Sequence, residues 1–575
     1  MMKYWSVKNE QAKEAIDFRA MGLQEWEFRV LVNRGVDTKE KILNFLHPSM
    51  EHLHSAITMK DMVKAGNLVQ GVKGKIRIIG DYDCDGVMST TILMKGLRGL
   101  GYDVDYRLPH RREDGYGMQP FMAEDSKHDG VEMIITCDNG IAQFDAIERA
   151  KELGLKLIVI DHHQIVRRDG EEVLPRADAI INPHQSACNY PFKGLCGGAL
   201  AFYFVNYLYT ISGQTEAMDE DLIGFAALAT VCDVMELVGE NRDLVTCGLA
   251  QLNRTENIGF NALRDAAKIK GDIGAYHLGF ILGPTINAAG RLDTAADAVE
   301  LFLSDDPSFA EKTALYLREL NQKRQALTTE GLLRLEKQLA NPKEKVQPIY
   351  ILKDETIDES IAGIIAGRIK GKYYRPCIVL TSGKDGLKGS GRSIEAYNMV
   401  EKIRESEKYL TSFGGHAMAC GLSLRKDQYI AFKLDAIEKS DLDPRDLVPR
   451  VRLDAIMPLD KVSFETVERL DRLKPFGNGN PKPLFGATGV YVSQYRIFGK
   501  NRNVIKLELF YKNARYDGVM FMEAEDFIAF ANETKAPNGS LCVDMAYIPT
   551  IDTFNNRNTL QFQIEDLRRS KTVMK

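Results

Sequence analysis

Three short apolar runs in the first third of the chain each end in an acidic turn, and this repetition limits the possible folds more than any other feature. Ile78-Ile79 leads into Asp81-Tyr82-Asp83-Cys84-Asp85-Gly86, Ile134-Ile135 into Cys137-Asp138-Asn139-Gly140, and Val159-Ile160 into Asp161-His162-His163. Between them lie amphipathic stretches with helical spacing, Val87–Leu100 and Phe144–Leu153. Short β-branched runs alternating with such helices predict a mainly parallel sheet covered on both faces. The carboxyl ends of the strands in such a sheet form the ligand crevice, so the acidic turns are expected to meet at one edge.

Carboxylates gathered there repel one another by about 4 kcal/mol per close pair at an effective dielectric near 20, and a divalent cation is the usual resolution. Asp81, Asp83 and Asp85 alternate like the start of an EF-hand loop, but no glutamate closes the loop at its twelfth position. Oxygen ligands with one or two imidazoles suit Mn²⁺ or Mg²⁺ better than zinc. Two ions about 4 Å apart could share a carboxylate and acidify a water, which is phosphoester chemistry. Asp233 closes another apolar run, Ala229-Thr230-Val231-Cys232, and gains meaning from the other acids. His162 and His163 are candidates for metal or phosphate contact. His47, His52, His54, His128, His184 and His277 read as surface or packing residues.

A length of 575 residues allows three or four domains of roughly 150 residues each. The net charge of -5 counts mildly against a basic nucleic-acid footprint, although local patches leave the substrate open. Nine scattered cysteines without a Cys-x-x-Cys pair exclude a disulfide framework and a structural zinc site. Cys84, Cys137 and Cys232 read as small fillers beside the acids. No run of eighteen apolar residues predicts a membrane span. Met1-Met2-Lys3-Tyr4-Trp5-Ser6 lacks the apolar core of a signal peptide, so a cytoplasmic protein is expected.

Residues 1–70 read as short helices at Lys13–Ala20, Leu23–Gly35 and Thr38–Leu46, forming an extension packed on the first α/β domain, which spans residues 71–295. Residues 296–345 form a long helical connector, broken near Asp305-Asp306-Pro307 and ended by Asn341-Pro342. A smaller α/β domain follows at residues 346–442. Residues 443–575 hold several short alternating strands (Thr488–Tyr495, Asn503–Leu509, Arg515–Phe521, Leu541–Ile548, Asn558–Ile564) and predict a small β-barrel or sandwich.

The Asp-Tyr-Asp-x-Asp-Gly, Cys-Asp-Asn-Gly and Asp-His-His turns resemble the successive motifs of the DHH phosphoesterase superfamily. Within it, the chain resembles the RecJ single-stranded-DNA-specific exonucleases over nearly its whole length. The likeness extends to Leu108-Pro109-His110-Arg111, Gly115-Tyr116-Gly117, Gly283–Asp293, Gly389-Ser390-Gly391-Arg392-Ser393, Phe413-Gly414-Gly415-His416 and Pro475–Pro481. It implies a parallel-sheet DHH domain joined by a long helix to a DHHA1 domain and followed by an OB-fold. It also implies metal ligation by Asp83, Asp85, Asp138, His162 and Asp233, with Asp138 bridging two ions and Asp81 in support. His163 would meet the scissile phosphate or assist the leaving group, and Asp161 would orient the histidines. Ser390, Arg392, Arg111 and Arg291 would grip a 5′-terminal phosphate and its backbone, with His416 facing the metals. Tyr491, Tyr495, Arg496, Lys500, Arg502 and Lys506 supply the basic and aromatic side chains with which such a barrel tracks a single strand. Two departures stand out: His110 replaces a frequent asparagine, and Asp354–Ser360 lacks a histidine-containing stretch.

The expectation is a 5′→3′ exonuclease on single-stranded DNA in repair and recombination, with a helicase and a single-strand-binding protein as partners. The alternatives are a DHH phosphodiesterase for short oligonucleotides or cyclic dinucleotides, and a catalytically silent DNA-binding relative.

Overall fold

The computed structural model describes residues 3–535, 541–553 and 558–571; Met1 and Met2 of the expected leaderless start lie outside them, as do the last four residues of the expected β domain. The apolar runs with acidic ends form a five-stranded sheet in the order Val104–Arg107, Lys75–Ile79, Val131–Cys137, Lys156–Ile160, Ala179–Ile181, all parallel. Lys75–Ile79 and Lys156–Ile160 are buried beyond their first residue, as strands covered on both faces require. The helix Cys84–Gly99 follows the first acidic turn and is buried along most of its length, packing on the helices Gly197–Ser212 and Asp221–Cys232. The carboxyl edge of the sheet therefore faces a helical layer that supplies partners for the acids.

The connector consists of the helices Ala296–Leu303 and Pro307–Leu339, with Asp306 capping the second through the Ser308 N–H at 2.9 Å. Its first half packs on Ile258–Ala266 and Gly283–Leu292, and its second half on Glu359–Tyr373. Leu335 and Leu339 enter the core of the second unit. That unit has a mixed sheet in the order Ser412–His416, Ala419–Leu424, Gly386–Arg392, Cys377–Gly383, Tyr350–Lys353, with only the last pair parallel. The C-terminal strands form a six-stranded sheet that closes on itself, because Phe485–Phe498 also pairs with Leu541–Asp552.

The N-terminal segment departs from expectation. Lys13–Ala20 forms turns, not a helix, while Glu25–Val32 and Lys39–Leu46 are helical. A strand, Tyr4–Val7, pairs in parallel with Arg450–Leu453. Leu23, Val30, Leu31, Val36, Ile42 and Phe45 join the core of the C-terminal barrel, while Lys39–Leu46 also packs on the helix Gly239–Leu252 of the first α/β unit, and Met50, Leu53, Met59, Met62, Ala65 and Val69 lie in or against that unit's core. The apolar faces of the first helices thus find their partner at the far end of the sequence. Arg242 locks the junction: its buried guanidinium donates to the carbonyls of Phe45 and Leu473, each at 3.1 Å, and lies 3.6 Å from the Phe45 ring centre.

Candidate active site

Asp81 and Asp83 flank Tyr82 in the turn after Lys75–Ile79. Asp83 caps the helix Cys84–Gly99, its Oδ1 accepting the N–H groups of Asp85 at 3.0 Å and Gly86 at 3.1 Å. Asp85 therefore lies in the first helical turn, not on extended chain as the alternating spacing suggested. Its buried carboxylate accepts the N–H groups of Gly197 at 2.8 Å and Gly198 at 2.7 Å, where the positive end of the helix Gly197–Ser212 meets it. Asp138 ends Val131–Cys137 with a φ of 58°, a left-handed conformation that re-aims its side chain. Asn139 fixes that turn, donating to the carbonyls of Ile79 at 3.0 Å and Cys137 at 2.9 Å and accepting from the Met118 N–H at 3.1 Å. Asp233 is the C-cap of Asp221–Cys232.

The acids perturb one another. Burial, then the charges of Asp85, Asp83 and Asp81, push the Asp138 carboxyl well above the usual range. Burial, then Asp85 and Asp83, push Asp233 up to about 8. Burial, then Asp83, raise Asp81, whose Oδ1 is buried with no hydrogen-bond partner among the described residues. Ligand atoms converge within 4.8 Å in three groups: Asp138, His162 and His163; Asp85, His162 and Asp233; Asp81, Asp83 and Asp138. A carboxylate-rich donor set of this kind, with an unpartnered buried oxygen, fits a hard divalent cation.

The two histidines differ in character. His162 Nε2 points at the acids, 3.1 Å from Asp138 Oδ1, 3.6 Å from Asp85 Oδ2 and 3.7 Å from Asp233 Oδ2. Burial lowers its pKa against the pull of these charges, which favours the neutral imidazole that ligates metals. For His163, burial is outweighed by the hydrogen bond and charge of Asp161, and its pKa rises to about 9. Asp161 Oδ1 accepts from the His163 N–H at 3.1 Å and lies 2.8 Å from Nδ1, while Oδ2 accepts the Ile141 N–H at 2.9 Å. Asp161 therefore orients His163 by direct contact; His162 is held by the other acids. The Tyr116 hydroxyl donates to the Asp138 carbonyl at 2.8 Å and lies 3.2 Å from His163 Nδ1.

Beside the acids, a cavity of about 360 Å³ opens between the two α/β units. Tyr82, Arg111, Tyr116 and Arg291 line one side, and Ser360, Gly363, Lys388, Ser390 and Arg392 the other. The N-terminus of Glu359–Tyr373, capped by Asp358, opens onto it and adds the positive end of a helix dipole. The Arg111 guanidinium stacks 4.3 Å from the Tyr82 ring centre, and Arg392 donates to Ser390 Oγ at 3.3 Å and the Gly391 carbonyl at 2.8 Å. Burial, then Arg111, Arg324 and Arg392, lower Arg291 to about 10. Among the described residues, Arg111, Arg291 and Arg392 form no ion pair with a carboxylate; Arg291 donates to the Ser360 carbonyl at 2.5 Å, and the three positive charges stand together at the cavity wall. Gly363 keeps the wall open: a Cβ there would stand 2.7 Å from Ser390 Oγ and 2.8 Å from Arg392 Nη2.

The structure thus brings Asp81, Asp83, Asp85, Asp138, His162 and Asp233 together, with Asp161 and His163 beside them, and gathers Arg111, Arg291, Ser390 and Arg392 in the cavity. His416 lies exposed at the end of the hairpin Ser412–Leu424 and joins neither the acids nor the cavity wall. In the barrel, Arg502 pairs with Glu525 at 3.6 Å and Lys506 lies 5.7 Å from the Phe498 ring, while Arg496 and Lys500 are exposed. Asp358, in the departing stretch 354–360, caps Glu359–Tyr373 and pairs with Arg112 across the cleft. Sequence reasoning missed the chemistry of Tyr116, Asn139 and the Gly197-Gly198 pair. The glycine pair opening an apolar helical run was a readable signal of a helix N-terminus; the tyrosine stood out only as the centre of the motif Gly115-Tyr116-Gly117, which assigned it no role.

Comparison with known proteins matches the DHH family N-terminal domain at residues 75–230, the DHHA1 domain at 345–440 and the RecJ OB domain at 453–566. The single-stranded-DNA-specific exonuclease RecJ of Bacillus subtilis is 33% identical over 554 residues, covering 93% of this chain and 67% of that protein. RecJ of Escherichia coli is 34% identical, covering 86% of this chain and 87% of that protein. The crystal structure of Thermus thermophilus RecJ in complex with Mn²⁺ superposes with a TM-score of 0.83 at 27% identity, covering 99% of this chain and 80% of that one. The chain therefore belongs to the RecJ family of single-stranded-DNA-specific exonucleases.

Proposed function

We propose that this chain degrades single-stranded DNA from its 5′ end, releasing 5′-mononucleotides, with two Mn²⁺ or Mg²⁺ ions. The observation that carries the reading is a shared wall. Tyr82 and Tyr116 line the arginine cavity, while Asp81 and Asp83 flank Tyr82 and the Tyr116 hydroxyl bonds to the Asp138 carbonyl. A terminal phosphate held by Arg111, Arg291, Ser390 and Arg392 leaves the following phosphodiester beside the carboxylates. The 5′ polarity is carried over with the family motif Gly389–Ser393, which supplies two of those residues.

Bound divalent ions supply charge neutralisation at the phosphate and a more acidic attacking water. Asp138 would be the ligand shared by two ions, since of the two residues that belong to two of the three ligand groups, Asp138 and His162, it alone carries two carboxylate oxygens. Asp81, Asp83, Asp85, His162 and Asp233 complete the set. Asp161 holds His163 Nδ1, which leaves Nε2 of the protonated ring for the scissile phosphate or the leaving 3′-oxygen. His416, exposed on its hairpin, meets the strand from the substrate side. The barrel offers Tyr491, Arg496, Lys500, Arg502 and Lys506 to the strand beyond the site, while Tyr495 packs against Phe527 in the barrel core.

The role we assign is DNA repair and recombination in the cytoplasm, on strands opened by a helicase and covered by a single-strand-binding protein. No helix among the described residues is long and apolar enough to cross a membrane.

The test is a single-stranded oligonucleotide of about thirty residues, labelled at either end and incubated with Mn²⁺. Mononucleotides released first from the 5′ end support the proposal. Cleavage of dimers and trimers alone would favour a short-oligonucleotide phosphodiesterase, and strands bound but uncut would leave a DNA-binding relative. Asp138→Ala should abolish cleavage while preserving the melting profile; retained cleavage overturns the bridging assignment.

A further inference from the structure

Asp233 sits on an unusual support. The helix before it ends in a doubly bonded turn, the Met235 N–H reaching the Thr230 carbonyl at 3.1 Å and the Val234 N–H the Val231 carbonyl at 3.2 Å. This closure places Val234 at a φ of 58°, a position that glycine normally fills and that a β-branched residue adopts only under strain. Val234 is also 65% exposed, so its own side-chain packing does little to hold the conformation.

The restraint comes from the C-terminal unit. Asn478, in the motif Pro475-Phe476-Gly477-Asn478-Gly479-Asn480, donates its Nδ2 to the Val234 carbonyl at 2.8 Å. Its own carbonyl accepts the Leu237 N–H at 2.8 Å, so one residue clamps both sides of Met235-Glu236. Gly479, at a φ of 71°, lets the loop approach: a Cβ there would stand 2.9 Å from Glu236 Cβ. Buried Asn480 fixes the loop from within, donating to the carbonyls of Leu473 at 2.8 Å and Pro475 at 2.9 Å.

We infer that Asn478 is a positioning residue for Asp233: the loop 475–480 braces the strained turn that aims this carboxylate at the ions. Asp85 is held by helix amides and Asp138 by the turn that Asn139 fixes, both within the first α/β unit. The turn that carries Asp233 is braced from another unit, about 240 residues downstream. The barrel unit, beyond following the strand, thereby sets the affinity of one cation position. This inference rests on the metal-site reading above.

The test counts bound Mn²⁺ by electron paramagnetic resonance during titration of the full chain, without substrate. Wild-type protein is expected to bind two ions. Asn478→Ala should weaken one of them by about 10- to 100-fold, the range for groups that orient a ligand, with the other unchanged. Affinity for a 5′-phosphorylated strand in chelator should stay within about twofold. Gly479→Ala, which forces the loop off Glu236 by a different route, should reproduce the loss, with the metal-free melting temperature of both variants checked. Two ions bound at wild-type affinity in both variants overturn the brace alone. Weakened strand binding with unchanged Mn²⁺ affinity also overturns it. Wild-type protein that binds no Mn²⁺ overturns the metal-site reading itself.

Discussion

Replacing Arg392 by alanine separates terminal-phosphate recognition from everything else the cavity does. The guanidinium is held within its own turn, by Ser390 Oγ and the Gly391 carbonyl, and among the described residues forms no ion pair with a carboxylate. Truncation therefore leaves no buried acid uncompensated, and the fold should survive. A hydrogen bond to a charged partner contributes about 1.5–3 kcal/mol. At about 1.4 kcal/mol per tenfold, Arg392→Ala should lower kcat/KM on 5′-phosphorylated strands by roughly 10- to 150-fold. The neighbouring Arg111, Arg291 and Lys388 keep part of the positive field and hold the loss within that range. The discriminating assay compares 5′-phosphate with 5′-hydroxyl ends in both proteins, at fixed salt because phosphate contacts are salt-dependent. The hydroxyl-ended strand should lose no more than about threefold. Equal losses on both ends would refute the argument, because Arg392 would then hold the strand or the wall without reading the terminal phosphate.

The metal-free protein should lose stability as pH rises. Asp233, at about 8 in the fold against an unfolded value near 3.8, keeps a proton that the unfolded chain releases between those pH values. His163, at about 9 against 6.5, does the same between 6.5 and 9, so its stabilisation is full below 6.5 and lost through 9. Melting temperature in chelator should therefore fall from pH 5 to 9, and added Mn²⁺ should raise it more at pH 8 than at pH 6, because cation and proton compete for the same acids; a flat profile would contradict the clustering. Arg242→Ala leaves the Phe45 carbonyl without this donor, at about 1–3 kcal/mol, while the Leu473 carbonyl keeps Asn480, and should lower the melting temperature while Mn²⁺ binding persists. An unchanged melting curve would remove Arg242 as the lock between the units.

What could be read from the chain was local or carried by motif order. The apolar runs Ile76–Ile79, Met133–Thr136 and Leu157–Ile160 had to be buried strands, and a parallel sheet sends their carboxyl ends to one edge, so Asp81, Asp83, Asp138 and His162 were bound to meet. The break at Asp306-Pro307 and the C-terminal strands were legible for the same reason, since capping and alternation act over a few residues, whereas closure into a barrel came from the family motifs. Family motifs added Arg111, Arg291, Ser390 and Arg392, which spacing alone would have left as surface charges. Even locally the reading slipped at Asp85, where Asp83 caps a helix that starts at Cys84, three residues before the expected Val87.

The acidic turns alone determined that this protein gathers carboxylates for a metal. Only the tertiary structure decided how each is held: Asp85 by amides 112 residues away, Asp233 on a turn braced from the C-terminal unit, and the N-terminal helices against the barrel as well as the first α/β unit. The reason is that hydrogen bonding along a strand or helix is fixed by neighbours in sequence. Which amide, arginine or apolar face closes over an acid depends instead on how whole elements pack, and no periodicity records that.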